Sequence, residues 1–170
     1  LAAAAFSLGA SAVYVGNDLA DRRSDREHPQ KRLRPLASGA VSVATALALG
    51  AVCLLASLLL AYAASPAVLA IMLAYFVLNV GYSLGLKHVV LLDVFIIAAG
   101  FMLRILAGTL GVGIAPSHWL LLCGLLLTLF LGLAKRRAEL KVVADGGSHR
   151  RVLDDYSPEL LDQLVSICSA

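Results

Sequence analysis

Four residues near the N-terminus, Asn17, Asp18, Asp21 and Asp25, have the side chains and the spacing to bind a metal. On a helix the three aspartates fall at i, i+3 and i+7, and Asn17 lies four residues before Asp21. All four therefore project from nearly one face. Three like charges on one face repel and need a cation among them. Hard divalent ions, Mg²⁺ above all, bind through such carboxylates together with the phosphates of a substrate. The competing reading is a solvated helix start whose acids meet the positive end of the dipole. That reading leaves unexplained the six cations that follow at once: Arg22, Arg23, Arg26, Lys31, Arg32 and Arg34. Lysine and arginine grip phosphate oxygens, arginine bidentately. Acids for a metal beside cations for phosphate suit a pyrophosphate-bearing substrate.

Further along, Tyr75, Asn79 and Tyr82 share a helix face, and Lys87 follows in Gly85-Leu86-Lys87-His88. Tyr82 and Lys87 are candidates for substrate contact, against the plainer roles of interfacial anchor and snorkelling end residue. A third polar stretch, Lys135-Arg136-Arg137-Ala138-Glu139, offers more cations than acids. Its plainer reading is an amphipathic loop helix held by salt bridges. Asp93 and Arg104 stand eleven residues apart, about 16 Å along one helical stripe. Arg104 falls near mid-membrane, where a charge faces a cavity or a buried partner. The reading favours a cavity-facing Arg104, with a buried Asp93–Arg104 pair as the alternative. Gly100 and Gly108 on nearly the same stripe permit close helix approach or leave room for a ligand. The four histidines and three cysteines show no metal-ligand spacing, and the cysteines read as small buried hydrophobes.

The elements that carry these residues belong to a membrane protein. The 170-residue chain is 60% hydrophobic and 15% charged, with a mean hydropathy of +0.87. Several apolar runs reach the roughly 20 residues a helix needs to cross a bilayer. Alternating strand patterns are absent, which argues against a barrel. The pattern predicts an all-α, polytopic transmembrane helix bundle. A partial helix covers 1–15, then a polar loop 16–40, then helices near 41–63, 67–86, 90–110 and 118–135. A second polar loop spans 136–157, and Pro158 suits the first turn of a last helix. Thirteen of the fourteen Lys and Arg residues fall on one side of this arrangement. The turns around Ser65-Pro66 and 111–117 hold no charge. The positive-inside rule places the charged side in the cytoplasm. The chain opens and closes inside apolar runs, so the reading is a piece of a longer protein, all of it within one catalytic membrane domain.

With these residues in view, the chain resembles a known family. Asn-Asp-x-x-Asp-x-x-x-Asp after an apolar helix, then Lys-x-x-Arg-Pro-Leu, then Tyr-Ser-x-x-x-Lys, resembles the UbiA-type intramembrane prenyltransferase superfamily. The resemblance implies a nine-helix bundle, of which this chain covers the second helix to the start of the seventh. It implies Mg²⁺ held by Asp18, Asp21 and Asp25, with Asn17 in support. Typical members carry a second acid motif, Asp-x-x-x-Asp, where this chain has Lys135-Arg136-Arg137-Ala138-Glu139. That departure, with Asp25-Arg26-Glu27-His28-Pro29 and Gly85-Leu86-Lys87-His88, is similar to the decaprenyl-phosphate phosphoribosyltransferase branch of actinobacterial cell-wall biosynthesis. The branch implies phosphoribosyl pyrophosphate as donor and a polyprenyl phosphate as acceptor at the plasma membrane. More anions call for more cations, and Lys135, Arg136 and Arg137 in place of a second acid cluster move the charge that way.

On this reading Asp18, Asp21, Asp25, Lys135, Arg136 and Glu139 are catalytic. Asn17, Lys31, Arg34, Tyr82, Lys87 and Arg104 bind substrate. The alternatives are prenyl transfer from a prenyl pyrophosphate and, in another class, a transporter lined by Arg104 and Asp93. Nucleic acid is not an expected partner, and the oligomeric state, homo-oligomer included, is left open.

Overall fold

The computed structural model describes residues 1–144 and 156–170, with side chains through Leu140 and again from Tyr156. All the regular structure among the described residues is helical. Helices α1 (Ala2–Ala20), α2 (Arg22–Glu27) and α3 (Pro35–Ser38) are followed by α4 (Val43–Ala64), α5 (Pro66–Leu84) and α6 (Leu92–Gly111). Helices α7 (His118–Ala144) and α8 (Pro158–Ser169) complete the order, and 3₁₀ turns stand at Lys31–Leu33 and Leu86–His88.

Serine starts four of the long helices. The hydroxyls of Ser42, Ser65, Ser117 and Ser157 each accept the backbone N–H three residues on, at 3.1 Å. Each satisfies one of the amides that a helix start leaves without a partner. Pro66 and Pro158 then occupy first-turn positions, where a missing N–H costs nothing.

Four helices are long and apolar enough to cross a membrane: Val43–Ala64, Pro66–Leu84, Leu92–Gly111 and His118–Leu140. Little of each helix is buried, and large apolar side chains such as Leu55, Leu59, Val77, Phe95, Leu127 and Leu131 stand exposed. Water would not tolerate this much contiguous apolar surface, whereas lipid does. Trp119 sits exposed at the start of α7, where an amphipathic ring suits the headgroup region. The chain is an integral membrane protein. Of the cysteines, Cys53 alone is buried; Cys123 is exposed and Cys168 is half-buried.

The chain divides into two compact units, Leu1–Phe76 and Val77–Ala170. In the first, α1 lies along α4 and touches the middle of α5 at Met72 and Tyr75. Gly9 makes this approach possible: a Cβ there would lie 2.8 Å from Ser57 Oγ and 3.0 Å from Met72 Sδ. Phe6 and Tyr75 pack as tilted rings with centroids 5.1 Å apart. Tyr75 is therefore a core residue rather than an interfacial anchor. In the second unit, α7 packs between α6 and α8 around Val94, Ala98, Leu129, Leu133, Tyr156 and Leu161. The glycines that let α6 and α7 close are on α7. A Cβ at Gly132 would lie 2.7 Å from Val94 Cγ1, and one at Gly124 would lie 2.9 Å from Ile105 Cδ1. Of the two α6 glycines read as permitting close approach or leaving room for a ligand, Gly100 is buried and Gly108 faces open space.

The polar stretches are more helical than the sequence suggested. α1 continues through Asn17, Asp18 and Ala20, and α7 runs to Ala144 instead of ending at Lys135. Ala, Glu, Leu and Lys in 138–141 are strong helix formers, and an Arg136–Glu139 pair one turn apart reinforces them. Arg150, Arg151, Asp154 and Asp155 of the expected second loop lie outside the described residues.

Candidate functional site: an open acid cluster and a sealed ion-pair network

The first unit assembles the acids by a junction rather than by one straight helix. α1 ends at Ala20, and Asp21 (φ −87°, ψ 0°) is at once the last cap of α1 and the first cap of α2. The hydrogen-bond ladder still crosses it: Asp21 N–H donates to Asn17 O at 2.8 Å, and Asp25 N–H donates to Asp21 O at 2.9 Å. Helical pitch thus survives the junction, and Asp18 and Asp25 remain on one side. Both carboxylates accept from the same nitrogen, Arg34 Nη1, at 3.0 Å and 2.9 Å. The Asp25 side chain is 5% exposed, Asp18 is 34% and Arg34 is 41%. The cluster has a sealed floor and an open mouth.

Arg34 is aimed by its neighbours. Its backbone is extended (φ −61°, ψ 143°), as the residue before a proline must be, and Pro35 opens α3. α3 has only four residues, so its carbonyls lack helical partners. Arg22 Nε donates to Leu36 O at 3.2 Å and Arg26 Nε donates to Ala37 O at 3.0 Å. These two arginines, one turn apart on α2, staple α3 against the acids. They are structural partners of the backbone, a role that a count of cations does not separate from phosphate binding. His28 has a similar duty that the sequence did not announce. Its Nδ1 accepts the N–H groups of Gln30 and Lys31 at 3.2 and 3.3 Å, holding the turn that carries Lys31. Asn17 and Asp21 sit half-buried at the junction, and Gly39 closes α3 in the left-handed conformation (φ 84°) that glycine adopts at little cost.

Among the described residues, no three His, Cys, Asp or Glu side chains are placed to hold a metal by themselves. The expected trio of Asp18, Asp21 and Asp25 is present as two converging carboxylates with Asp21 at the bend beside them.

The second unit gathers a different set. Asp93, in the first turn of α6, is fully buried. Arg136 Nε donates to its Oδ2 at 2.7 Å, and the Tyr156 hydroxyl donates to its Oδ1 at 2.7 Å. Arg136 Nη1 donates to Glu139 Oε2 at 2.6 Å. The Tyr156 oxygen in turn accepts the Leu91 N–H at 2.7 Å. Burial, and then the hydrogen bond to Asp93, hold the Tyr156 phenol well above the usual tyrosine range, so it remains a donor. Arg137 makes a two-nitrogen contact with Asp162 of α8, at 2.7 and 3.1 Å.

The Lys135-Arg136-Arg137 run is therefore split by helical geometry. Lys135 is exposed on α7, Arg136 is 3% exposed inside the network, and Arg137 docks α8. Lys87 lies half-buried in the 3₁₀ turn before α6, and Tyr82 in the last turn of α5. Arg104 does not pair with Asp93, whose oxygens serve Arg136 and Tyr156. Its guanidinium lies over the Phe101 ring, 5.1 Å from the centroid, one turn back on the same helix. The Asp93–Arg104 pair offered as the alternative does not form; Asp93 pairs instead between helices, with Arg136. The sequence reading placed Asp93 only in alternatives beside Arg104 and gave Tyr156 no role. The one available signal was a carboxylate in the first turn of an apolar helix, which demands a partner without saying which.

The description "UbiA prenyltransferase family" belongs to a family model that matches residues 1–146. The chain is 37% identical over 159 residues to the decaprenyl-phosphate phosphoribosyltransferase of Corynebacterium glutamicum, covering 92% of this chain and 48% of that protein. It is 36% identical over 157 residues to the proteins of the same name in Mycolicibacterium smegmatis and Mycobacterium tuberculosis H37Rv. Those matches cover 92% of this chain and 49% and 52% of theirs. The chain thus spans about half the length of the curated relatives it matches.

Proposed function

The chain belongs to the UbiA prenyltransferase family, and on that premise we propose that it is the acid-motif part of a membrane phosphoribosyltransferase. The reaction moves a phosphoribosyl group from phosphoribosyl pyrophosphate to a polyprenyl phosphate, decaprenyl phosphate in the relatives' name, as a precursor step for cell-wall arabinan. A phosphate oxygen of the acceptor bonds to the ribosyl C1 as the bond from C1 to pyrophosphate breaks, and the electron pair leaves with pyrophosphate. The acceptor phosphate is already ionised at neutral pH, so no strong general base is required.

The observation that carries the reading is the convergence of Asp18 and Asp25 on a single cationic nitrogen at an open mouth. Mg²⁺ typically takes one or two protein carboxylates and completes its shell with water and substrate phosphates. Two converging carboxylates match that demand better than a closed cage would, and the donor set is all oxygen. Asp18 and Asp25 would hold the ion, with Asp21 and Asn17 at the bend beside them. Bound there, Mg²⁺ supplies charge neutralisation of the leaving diphosphate. The protein's own cations do the rest. Lys31 and Arg34 bind the phosphates offered to the first unit, and Lys87 and Lys135 bind phosphate in the second. Glu139 keeps Arg136 in place. The charged loops face the cytoplasm across the plasma membrane, by the positive-inside rule.

The deciding experiment supplies membranes containing the full-length protein with ribose-labelled phosphoribosyl pyrophosphate and polyprenyl phosphate, and separately with a labelled prenyl pyrophosphate and an aromatic acceptor. The expected result is lipid-extractable label from the first donor, lost on chelation with EDTA and restored by Mg²⁺. Label from the second donor alone would assign ordinary prenyl transfer instead.

A further inference from the structure

The network in the second unit has more polar connections than the packing of two helices requires. Asp93, Arg136, Glu139 and Tyr156 come from three helices or their starts, α6, α7 and α8. Both Asp93 oxygens are engaged, one by Arg136 and one by Tyr156. The Tyr156 oxygen donates to Asp93 and accepts from Leu91 N–H. It is therefore fixed from two directions, as donor and as acceptor.

The residue it fixes is unusual. Leu91 has φ +65° and ψ −41°, and it is the one non-glycine residue with positive φ among those described. A leucine pays in strain to stay there, and such outliers persist where surrounding contacts over-determine them. Here the surroundings are plain. The Leu91 N–H is held by Tyr156, and its carbonyl accepts from Val94 and Phe95 N–H at 3.0 and 2.9 Å.

From Asp93, two residues on, backbone hydrogen bonds lead back to the turn that carries a lysine. Asp93 N–H donates to Val89 O at 3.2 Å, Val89 N–H donates to Leu86 O at 3.2 Å, and His88 N–H donates to Gly85 O at 2.9 Å. Lys87 is the central residue of this turn. On the other side of the network Arg136 is the neighbour of exposed Lys135.

We infer that Tyr156 and Asp93, with Arg136, form a latch that fixes the 3₁₀ turn at Leu86–His88, so that Lys87 is presented to a diphosphate. They are positioning residues, acting through Lys87 rather than touching substrate. The inference rests on the proposal that Lys87 binds phosphate, and it holds for either diphosphate donor. Arg136 then serves the site from inside the scaffold, and Lys135 is the member of the basic run left at the surface.

The test uses the full-length protein in membranes or nanodiscs, with inorganic pyrophosphate as probe. Lys87 is acylated with an amine-reactive ester, and its modification is followed by mass spectrometry as pyrophosphate is raised. In the unsubstituted protein, pyrophosphate should protect Lys87. In Tyr156→Phe, half-protection should require about tenfold more pyrophosphate, the scale of one lost positioning contact. Asp93→Asn, which keeps the shape, should move it the same way. Unchanged protection in a folded Tyr156→Phe protein overturns the latch. Failure of pyrophosphate to protect Lys87 in the parent removes Lys87 from the site, and the inference with it.

Turnover supplies a second reading. In the Lys87→Ala background, Tyr156→Phe should cost less than twofold in kcat/KM, because both substitutions act on one contact. Full multiplication of the two losses would mark Tyr156 as general scaffold and sink the proposal. Should the parent fail to transfer phosphoribosyl at all, the donor assignment falls, while the protection experiment still decides the latch.

Discussion

In the first unit Arg34 shares one nitrogen between Asp18 and Asp25, and its side chain is 41% exposed. In the second, Arg136 gives separate nitrogens to Asp93 and Glu139, and its side chain is 3% exposed. The residue types are the same and the consequences differ. An open pair in high dielectric contributes little and exchanges readily with other ions. A sealed pair has paid desolvation already, so removing one partner strands a buried charge. Function that requires an arriving cation and diphosphate suits the first cluster. Holding geometry suits the second.

The harshest way to break this comparison is Arg136→Met. It leaves Asp93 with Tyr156 alone, and the expected loss is about 3–5 kcal/mol of stability. Thermal unfolding in detergent, or the yield of folded protein, reads it. Pairing it with Asp93→Leu should recover most of that loss, since an apolar pair of similar volume replaces the ion pair. A double variant no more stable than Arg136→Met would show that the network is not the closed unit described.

The matching change in the open cluster should do the reverse. Asp18→Asn with Asp25→Asn should lower transfer by about 10³-fold, roughly 4 kcal/mol of transition-state stabilisation. The unfolding temperature should move little, because each asparagine keeps a carbonyl acceptor for Arg34, and a 41%-exposed guanidinium without its counter-charges stays solvated. Asp21→Ala should also abolish transfer while the protein still inserts. Retained turnover in either would remove the acids from the chemistry.

Arg34→Gln sharpens the contrast further. With Arg34 gone, the two acids face each other without a counter-charge. Asp18 is partly exposed but Asp25 is buried, so the expected stability loss is about 1–3 kcal/mol, between that of a surface pair and that of a sealed one. Mg²⁺ should now raise the unfolding temperature more than it does in the parent, since a resident cation no longer competes. Equal Mg²⁺ responses would argue that the ion and Arg34 do not share the carboxylates.

Some of this was legible in the sequence for physical reasons. Asp18 and Asp25 are seven residues apart, two helical turns, and helical pitch holds across Asp21, so local periodicity brought them to one side. The four spans followed from length and hydropathy, and the start of α8 from Pro158. What was not legible is non-local. Arg34 reaches back sixteen residues to Asp18, Arg136 reaches Asp93 over forty-three, and Tyr156 reaches it over sixty-three. No periodicity encodes such pairs. Exposure was equally hidden: Lys135, Arg136 and Arg137 are consecutive, and only the packed helix separates the surface lysine from the buried arginine. The extension of α7 to Ala144 was missed because charge was taken as a sign of loop, where helix-forming residues outweighed it.

The smallest expected effect is also the most selective for the sealed cluster. The phenol of Tyr156 is held above the ordinary tyrosine value by burial, and next by its bond to Asp93, with Arg136 and Glu139 in the same network. The folded state therefore favours the neutral form. For a group raised on folding, the stabilisation is complete below the unfolded value, about 10 for tyrosine, and drains away as pH rises through the folded value. Tyr156→Phe cannot ionise and escapes that alkaline loss. At pH 8 the variant should be less stable than the parent by about 1 kcal/mol, the worth of a buried hydrogen bond. Above pH 10 the gap should narrow, because only the parent is losing ground at this position. Paired unfolding curves across that range measure it. A gap that stays constant would mean that folding does not hold the phenol neutral, against both its burial and its bond to Asp93.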